Sequence, residues 1–227
     1  MDSMNVGSPA QGWFVLPFLL AIAAASFAGP DTPRQIENLD SAKQSIISYH
    51  DSGRWDRDTL KVIHKAEHWI ADRSGHGGKL ALVLDIDETA LLNWPEERKT
   101  DFGYVPDLWN AWEKQGKAPA SPEVLELFRF ARKRHVVVFF ITGRHEASRL
   151  GTVKNLADVG YVGYRELVMK PDTNHERSAI PFKSSARAAI ERQGYRIIEN
   201  VGDQWSDLKG GHSERVFKVP NPMYLIP

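Results

Sequence analysis

The stretch Leu80-Ala81-Leu82-Val83-Leu84-Asp85-Ile86-Asp87-Glu88-Thr89 constrains this chain more than any other. Five apolar residues end abruptly at two carboxylates spaced i, i+2. A continuous apolar run of that length reads as a strand covered on both faces, the strand type of a parallel sheet. Open parallel sheets keep their ligands at the C-terminal strand ends, where Asp85 and Asp87 would stand. Period-2 geometry would send both side chains the same way if both belonged to the strand. Two carboxylates that close repel each other, so a cation or a shared proton is expected between them. Taken alone, the segment is equally open to a blander reading, a strand ending in a solvated acidic turn.

What precedes and follows this strand alternates in the α/β manner. Thr32-Pro33 offers a helix start, and Ile36, Leu39, Ile46 and Ile47 mark a helix face up to about Tyr49. Asp51-Ser52-Gly53 breaks it, and a second helix runs from about Arg57 to Asp72. His64 and His68 stand i, i+4 on that helix but share their side with Lys61, Lys65 and Asp72, which reads as a solvated polar face. After Thr89 comes a segment rich in aromatic and turn residues, with a short helix predicted over 107–115 and closed by Gly116. Its Trp94, Tyr104, Trp109 and Trp112 could stack on a flat substrate group or could form a satellite core. Ser121-Pro122 then caps a helix whose inward face is Val124, Leu125, Leu127, Phe128 and Ala131. A strand over 135–141 runs into Thr142-Gly143-Arg144, and a helix follows to about Val159. A short strand at 166–169, a helix over 182–193, a strand at 195–199 and a last strand at 215–219 complete the alternation. This pattern predicts a parallel sheet with helices on both faces.

Composition narrows the function classes. The chain has 227 residues, enough for one domain with a sizeable core, or a domain with a small insertion. Lys plus Arg and Asp plus Glu each number 29, a balance that argues against a nucleic acid polymer as partner. There is no cysteine, which excludes disulfides, thiolate zinc sites, a cysteine nucleophile and a lipid anchor on an N-terminal cysteine. Residues 13–25 are apolar and Ser26-Phe27-Ala28 supplies small residues for cleavage after Ala28. Residues 1–28 are therefore expected to be an export signal, although the segment before the apolar core carries no Lys or Arg. That core is too short for an ordinary transmembrane helix.

Three strand ends carry complementary chemistry. The first supplies Asp85 and Asp87; the second supplies Thr142 and the Gly143 amide at a helix start, an anion-binding arrangement. The fourth supplies Asp203 and Asp207, and Lys183 opens the helix that feeds it. Parallel βαβ connections bring these ends to one edge of the sheet. Carboxylates from two strand ends suit a hard cation, of which Mg²⁺ is the usual one beside a phosphate. Thr142, Gly143 and Lys183 suit phosphate oxygens. One carboxylate can attack phosphorus, and a second, two residues on, can move the proton.

In their order, Asp85-Ile86-Asp87-Glu88-Thr89, Thr142-Gly143-Arg144, Lys183 and Gly202-Asp203-Gln204-Trp205-Ser206-Asp207 resemble the four motifs of the haloacid dehalogenase superfamily. Trp109-Asn110-Ala111-Trp112, Asn155-Leu156, Gly160-Tyr161 and the stretch Phe217 to Tyr224 are similar to the exported acid phosphatases of its subfamily IIIB. That group embraces plant acid phosphatases, vegetative storage proteins and bacterial acid phosphatases. The resemblance implies a Rossmann-like core over 29–227, with a small, mostly helical cap drawn from residues 34–78 and 90–120. It implies an acid phosphatase acting on small phosphate monoesters, with Asp85 as nucleophile and Asp87 as general acid/base. Thr142 and Lys183 match phosphate-binding positions. A single Mg²⁺ would be held by the Asp85 carboxylate, the Asp87 carbonyl and Asp203, with Asp207 close by. A periplasmic or secreted protein with no membrane anchor after signal cleavage is expected. A storage or binding protein on the same scaffold and a phosphotransferase using the same residues are the competing readings. Retention of Asp85 weighs against the first, because some storage relatives have lost the nucleophile.

Overall fold

The computed structural model describes residues 36–227. The expected export signal and the Thr32-Pro33 helix start lie outside the described residues. In chain order the elements are α1 Leu39–Asp51, α2 Arg54–Arg73, β1 Lys79–Leu84, α3 Trp94–Lys99, α4 Pro106–Gln115, α5 Pro122–Lys133 and β2 Val137–His145. They continue with α6 Arg149–Asp158, β3 Glu166–Lys170, α7 Ile180–Arg192, β4 Tyr195–Gly202, α8 Trp205–Leu208 and β5 Val216–Lys218.

The five strands are all parallel, in the order β3-β2-β1-β4-β5. The apolar run of β1 is buried along both sides, as its sequence requires. Leu80, Leu82 and Leu84 join Val138, Phe140, Ile198 and Val201 in a core covered by α2 and α5. Ala81 and Val83 join Phe139, Ile141 and Ile197 in a second core covered by Ala186 and Ile190 of α7. The two layers arise because successive side chains point to opposite faces. Burying each of these larger aliphatic side chains contributes about 1.5–3 kcal/mol, which explains why the central strands tolerate so few polar residues.

The order also locates a crevice. From β1 the chain crosses by α5 to β2 on one side, whereas β4 lies on the other side of β1. The order reverses between β1 and β4, and there the loops beyond the strand ends splay apart to leave room for a ligand. Asp85 follows β1 and Asp203 follows β4, so both stand at this switch point.

Several boundaries differ from the sequence reading. Asn38 caps α1, accepting the Asp40 amide at 2.9 Å, so the helix excludes Ile36. Leu39 is exposed and nothing in α1 is fully buried, so the proposed apolar stripe is not a core face. Gly53, at φ 66°, starts α2 three residues earlier than expected. A buried ladder of Trp55, Thr59, Ile63, Ala66 and Ile70 carries α2 onto the sheet, while His64 and His68 face solvent. Strand β4 runs to Gly202 rather than Glu199, past a bulge where the register shifts between Ala81 and Leu82. The bulged Ile198 carbonyl accepts the Trp69 indole N–H at 2.7 Å, so the irregularity leaves that carbonyl satisfied. Strand β2 continues through Thr142-Gly143-Arg144 to His145, and helix α6 begins only at Arg149. Thr142 and Gly143 therefore do not open a helix; a register shift between Thr142 and His145 bends the strand there instead.

Candidate active site

The floor of the site is built from β1, β4, α7 and α8. The Asp85 amide donates to the Val201 carbonyl at 3.0 Å, which ties the first aspartate to the neighbouring strand. Lys183, in the first turn of α7, donates to Asp85 and, at 2.7 Å, to Asp207 Oδ1. Asp207 Oδ2 accepts the Gln204 amide at 2.8 Å in a capping box that opens the one-turn α8. A side chain on Gly202 would sit 2.6 Å from the Asp207 Cβ, so this close approach needs glycine. Asp203 Oδ2 accepts from Gln204 Nε2 at 2.6 Å and from Asn221 Nδ2 at 2.7 Å.

Oxygens of Asp85, Asp203 and Asp207 lie within 4.8 Å of one another, and all three residues are buried. Only Asp85 and Asp207 of the three reach the Lys183 ammonium. Burial and the Asp207 charge push Asp85 up to about 7, despite the pull of Lys183. Burial and the charges of Asp207 and Asp85 push Asp203 well above its ordinary range. Lys183 is driven up despite its burial, because Asp207 and Asp85 hold its proton. An all-oxygen, under-neutralised cluster of this kind matches the donor set of a small hard dication.

Asp87 stands in a different neighbourhood. Arg144 Nη2 donates to its Oδ1 at 2.7 Å and Nε reaches both oxygens at 3.0 and 3.1 Å, while Asn93 Nδ2 donates to Oδ1 at 2.8 Å. Burial alone would raise Asp87, but the Arg144 charge and these hydrogen bonds outweigh it and leave the carboxyl below its usual range. Glu88 adopts φ 52°, a left-handed turn unusual for a non-glycine residue. The turn aims its carboxylate at the Asn93 amide and Asn93 Nδ2, both at 2.7 Å, and the Tyr224 hydroxyl donates to it at 3.1 Å. Burial first, then the Asp87 charge, raise Glu88 to about 8.

A cavity of about 430 Å³ opens above this floor. Asp85, Asp87, Gly143, Lys183, Asp203 and Asp207 all line it. A Cβ on Gly143 would meet nothing within 4 Å, so this glycine leaves cavity space open. Thr142 is fully buried beneath it, its hydroxyl accepting the Arg144 amide at 3.1 Å. Of the aromatic group singled out in the sequence, Tyr104 and Trp109 line the cavity. Trp112 instead is buried and donates to Asn93 Oδ1 at 2.8 Å. Trp94 stacks on His50 with ring centroids 3.8 Å apart, away from the cavity. Likewise α2 packs on the sheet face beside α5, whereas residues 97–113 form a wall of the cavity.

Sequence reasoning assigned no role to Arg144, Asn93, Glu88, Asn221 or Tyr224. Arg144 was visible as the third residue of Thr-Gly-Arg. No spacing rule signals that Asn93 would bridge Asp87, Glu88, Trp112 and Arg144, because the bridge exists only once the loop after β1 has folded.

Residues 24–227 match the family described as HAD superfamily, subfamily IIIB (Acid phosphatase). Acid phosphatase 1 of Solanum lycopersicum is 38% identical over 67% of this chain, and the match spans 61% of that protein. The Stem 28 kDa glycoprotein of Glycine max is 33% identical over 91% of this chain and 82% of its own length. Among solved structures, the class C acid phosphatase from Bacillus anthracis shares the fold, with a TM-score of 0.69 at 22% identity over 82% of this chain and 86% of that one.

Proposed function

Because the chain belongs to the subfamily IIIB acid phosphatases of the HAD superfamily, a family of phosphomonoesterases, we propose that it hydrolyses small phosphate monoesters through an aspartyl-phosphate. The observation that carries this reading is the cluster of three buried carboxylates and one lysine at the β1/β4 switch point, with Asp87 held separately beside it.

Lys183 and the Gly143 N–H take the phosphate oxygens, and Thr142, buried beneath them, holds the Arg144 amide. One Asp85 oxygen attacks phosphorus as the bond to the leaving oxygen breaks, and Asp87 in its protonated form, which the Arg144 charge keeps scarce but strongly acidic, gives its proton to that oxygen. Asp87, now a carboxylate, removes a proton from water as the water attacks phosphorus; inorganic phosphate departs and Asp85 is regenerated. The Arg144 fork and Asn93 orient Asp87 for both transfers. Asp85, Asp203, the Asp87 carbonyl and Asp207 are the residues that would hold Mg²⁺, and the fit rests on the raised carboxyls of Asp85 and Asp203 and on the all-oxygen donor set. When bound, the ion offsets negative charge on the phosphoryl oxygens.

Export to the periplasm or exterior is part of the same proposal, supported by the signal-like residues 1–28. No helix among the described residues is long and apolar enough to cross a membrane. The test is phosphate release from a panel of monoesters with Mg²⁺, with a chelator and with an added alcohol acceptor. Release that needs the metal supports the proposal. No release from any ester would leave the storage reading, and phosphate passed to the acceptor in preference to water would favour the phosphotransferase.

A further inference from the structure

The wall of the cavity formed by residues 97–113 is unusual for a site that takes a phosphate. It contains Glu97 of α3 and Glu113 of α4, each only 5% exposed, beside Phe102, Tyr104 and Trp109. A substrate that brings negative charge to the floor is repelled by carboxylates on the leaving-group side, unless the leaving group carries the opposite charge.

Lys170 and Arg177 line the same cavity, but no cation among the described residues is paired with Glu97. Its carboxylate makes no hydrogen bond or ion pair among the described residues, although its neighbour Glu96 is paired with Lys99 at 3.2 Å. Arg144, the cation on the floor nearest in role, has its donors taken by Asp87, Thr152 and Asn93. Burial, then the charges of Asp87 and Glu96, push Glu97 up to about 7, and burial and Asp87 raise Glu113 as well. Both carboxyls thus feel Asp87, the group that serves the leaving oxygen.

The aromatic rings are presented by an irregular turn. Asp101 and Phe102 both take left-handed backbone, at φ 53° and 60°, and the Phe102 amide donates to the Glu97 carbonyl at 2.8 Å. This closes α3 and holds Phe102 in the same turn as Glu97. Tyr104 and Trp109 follow, tilted at 56° with centroids 6.0 Å apart. Aromatic faces joined to an unpaired carboxylate form the environment that recognises an alkylammonium group.

We infer that this wall is a cation-accepting subsite, selecting phosphomonoesters whose leaving alcohol bears an ammonium group, with Glu97 as its principal anion. The inference rests on the phosphatase reading above and adds a substrate class to it. The expected binding mode places phosphate on Lys183 and Gly143, and the ammonium between Glu97 and the rings.

The experiment compares choline phosphate with 3,3-dimethylbutyl phosphate, which has the same shape with a neutral carbon in place of nitrogen. Both are assayed with the Mg²⁺-loaded full chain and with its Glu97→Gln and Glu113→Gln variants. The expected result is a kcat/KM at least about tenfold higher for choline phosphate, carried mainly by KM. In Glu97→Gln the ratio should fall to near one; in Glu113→Gln it should fall by a smaller factor. Turnover of the neutral ester reports that each variant has folded. Equal kcat/KM for the two esters in the parent protein, or a preference undiminished in Glu97→Gln, overturns the subsite while the phosphatase reading stands. Hydrolysis of neither ester overturns the subsite, and phosphate release from an aryl monoester in the same preparation then shows that the phosphatase reading stands, whereas its absence overturns that reading too.

Discussion

Asp85 and Asp87 are two residues apart and live under opposite electrostatic rules. Around Asp85, three carboxylates are buried together and one lysine is shared by only two of them, Asp85 and Asp207, so the cluster carries more negative charge than its partners offset. Around Asp87, one carboxylate receives a forked guanidinium and an amide, and its proton is easily lost. The first arrangement is costly until a cation arrives; the second is complete without one. Buried charge is expensive, so a cluster left under-compensated points to a ligand, whereas a saturated pair points to positioning.

The sharpest way to break this comparison is to remove the charge of Asp85. Asp85→Asn should lower phosphate release by more than about 10⁴-fold, as loss of a nucleophile generally does, with the circular dichroism spectrum unchanged. Near-parental turnover would remove Asp85 from the chemistry. Asp87→Asn should cost about 10²–10⁴-fold, most on alkyl esters whose leaving oxygen needs a proton. The two neighbourhoods then separate by melting temperature. Mg²⁺ at a hundred times its dissociation constant should stabilise the parent by about 2.7 kcal/mol. Asp87→Asn should keep that gain and Asp203→Asn should lose it; equal gains in both variants would mean that the carboxylate cluster does not hold the ion.

A smaller effect is expected from Arg144→Lys. A lysine offers a point charge where Asp87 now has a fork, so kcat/KM should drop about tenfold with little change in the metal response. A drop confined to the metal response would assign Arg144 to the wrong neighbourhood.

Glu199 is the control for both. It is fully buried in β4, neither side-chain oxygen has a hydrogen-bond partner among the described residues, and it lies outside the site. Burial and the nearby Glu67 charge raise its carboxyl from 4.5 to about 8. Across that window the folded chain keeps a proton that the unfolded chain has released. Stability should therefore fall as pH rises, by up to about 1.4 kcal/mol per unit for this one group. Melting curves of Glu199→Gln should lack that component, so the gap between variant and parent should widen from pH 5 to pH 8. A constant gap would show that Glu199 is compensated in the fold.

Much of this is legible in the sequence. The run Leu80–Leu84 had to be a doubly covered strand, because five consecutive apolar residues cannot present a wet face. Alternation of strands with helices implied a parallel sheet, and the strand ends then implied one shared edge for Asp85, Gly143, Lys183 and Asp203. Gly116 closing α4 and Ser121 capping α5 were readable because caps are local chemistry. The bulge at Ile198 was not readable, since it depends on Trp69 arriving from α2 to satisfy a carbonyl. The aromatic segment was recognised as a group, yet its members go to three fates. Trp94 stacks on α1, Trp112 props Asn93, and Tyr104 and Trp109 face the cavity.

By itself, then, the order of residues determined the layers of the fold and the identity of the groups at the sheet edge. Periodicity and strand polarity act within a few residues, and they are enough for that. Only the tertiary structure decided that Asp85 shares Lys183 with Asp207 while Asp87 is clamped by Arg144. Those partners lie 98, 24 and 57 positions apart in the chain, and which charge meets which is settled by packing rather than by spacing.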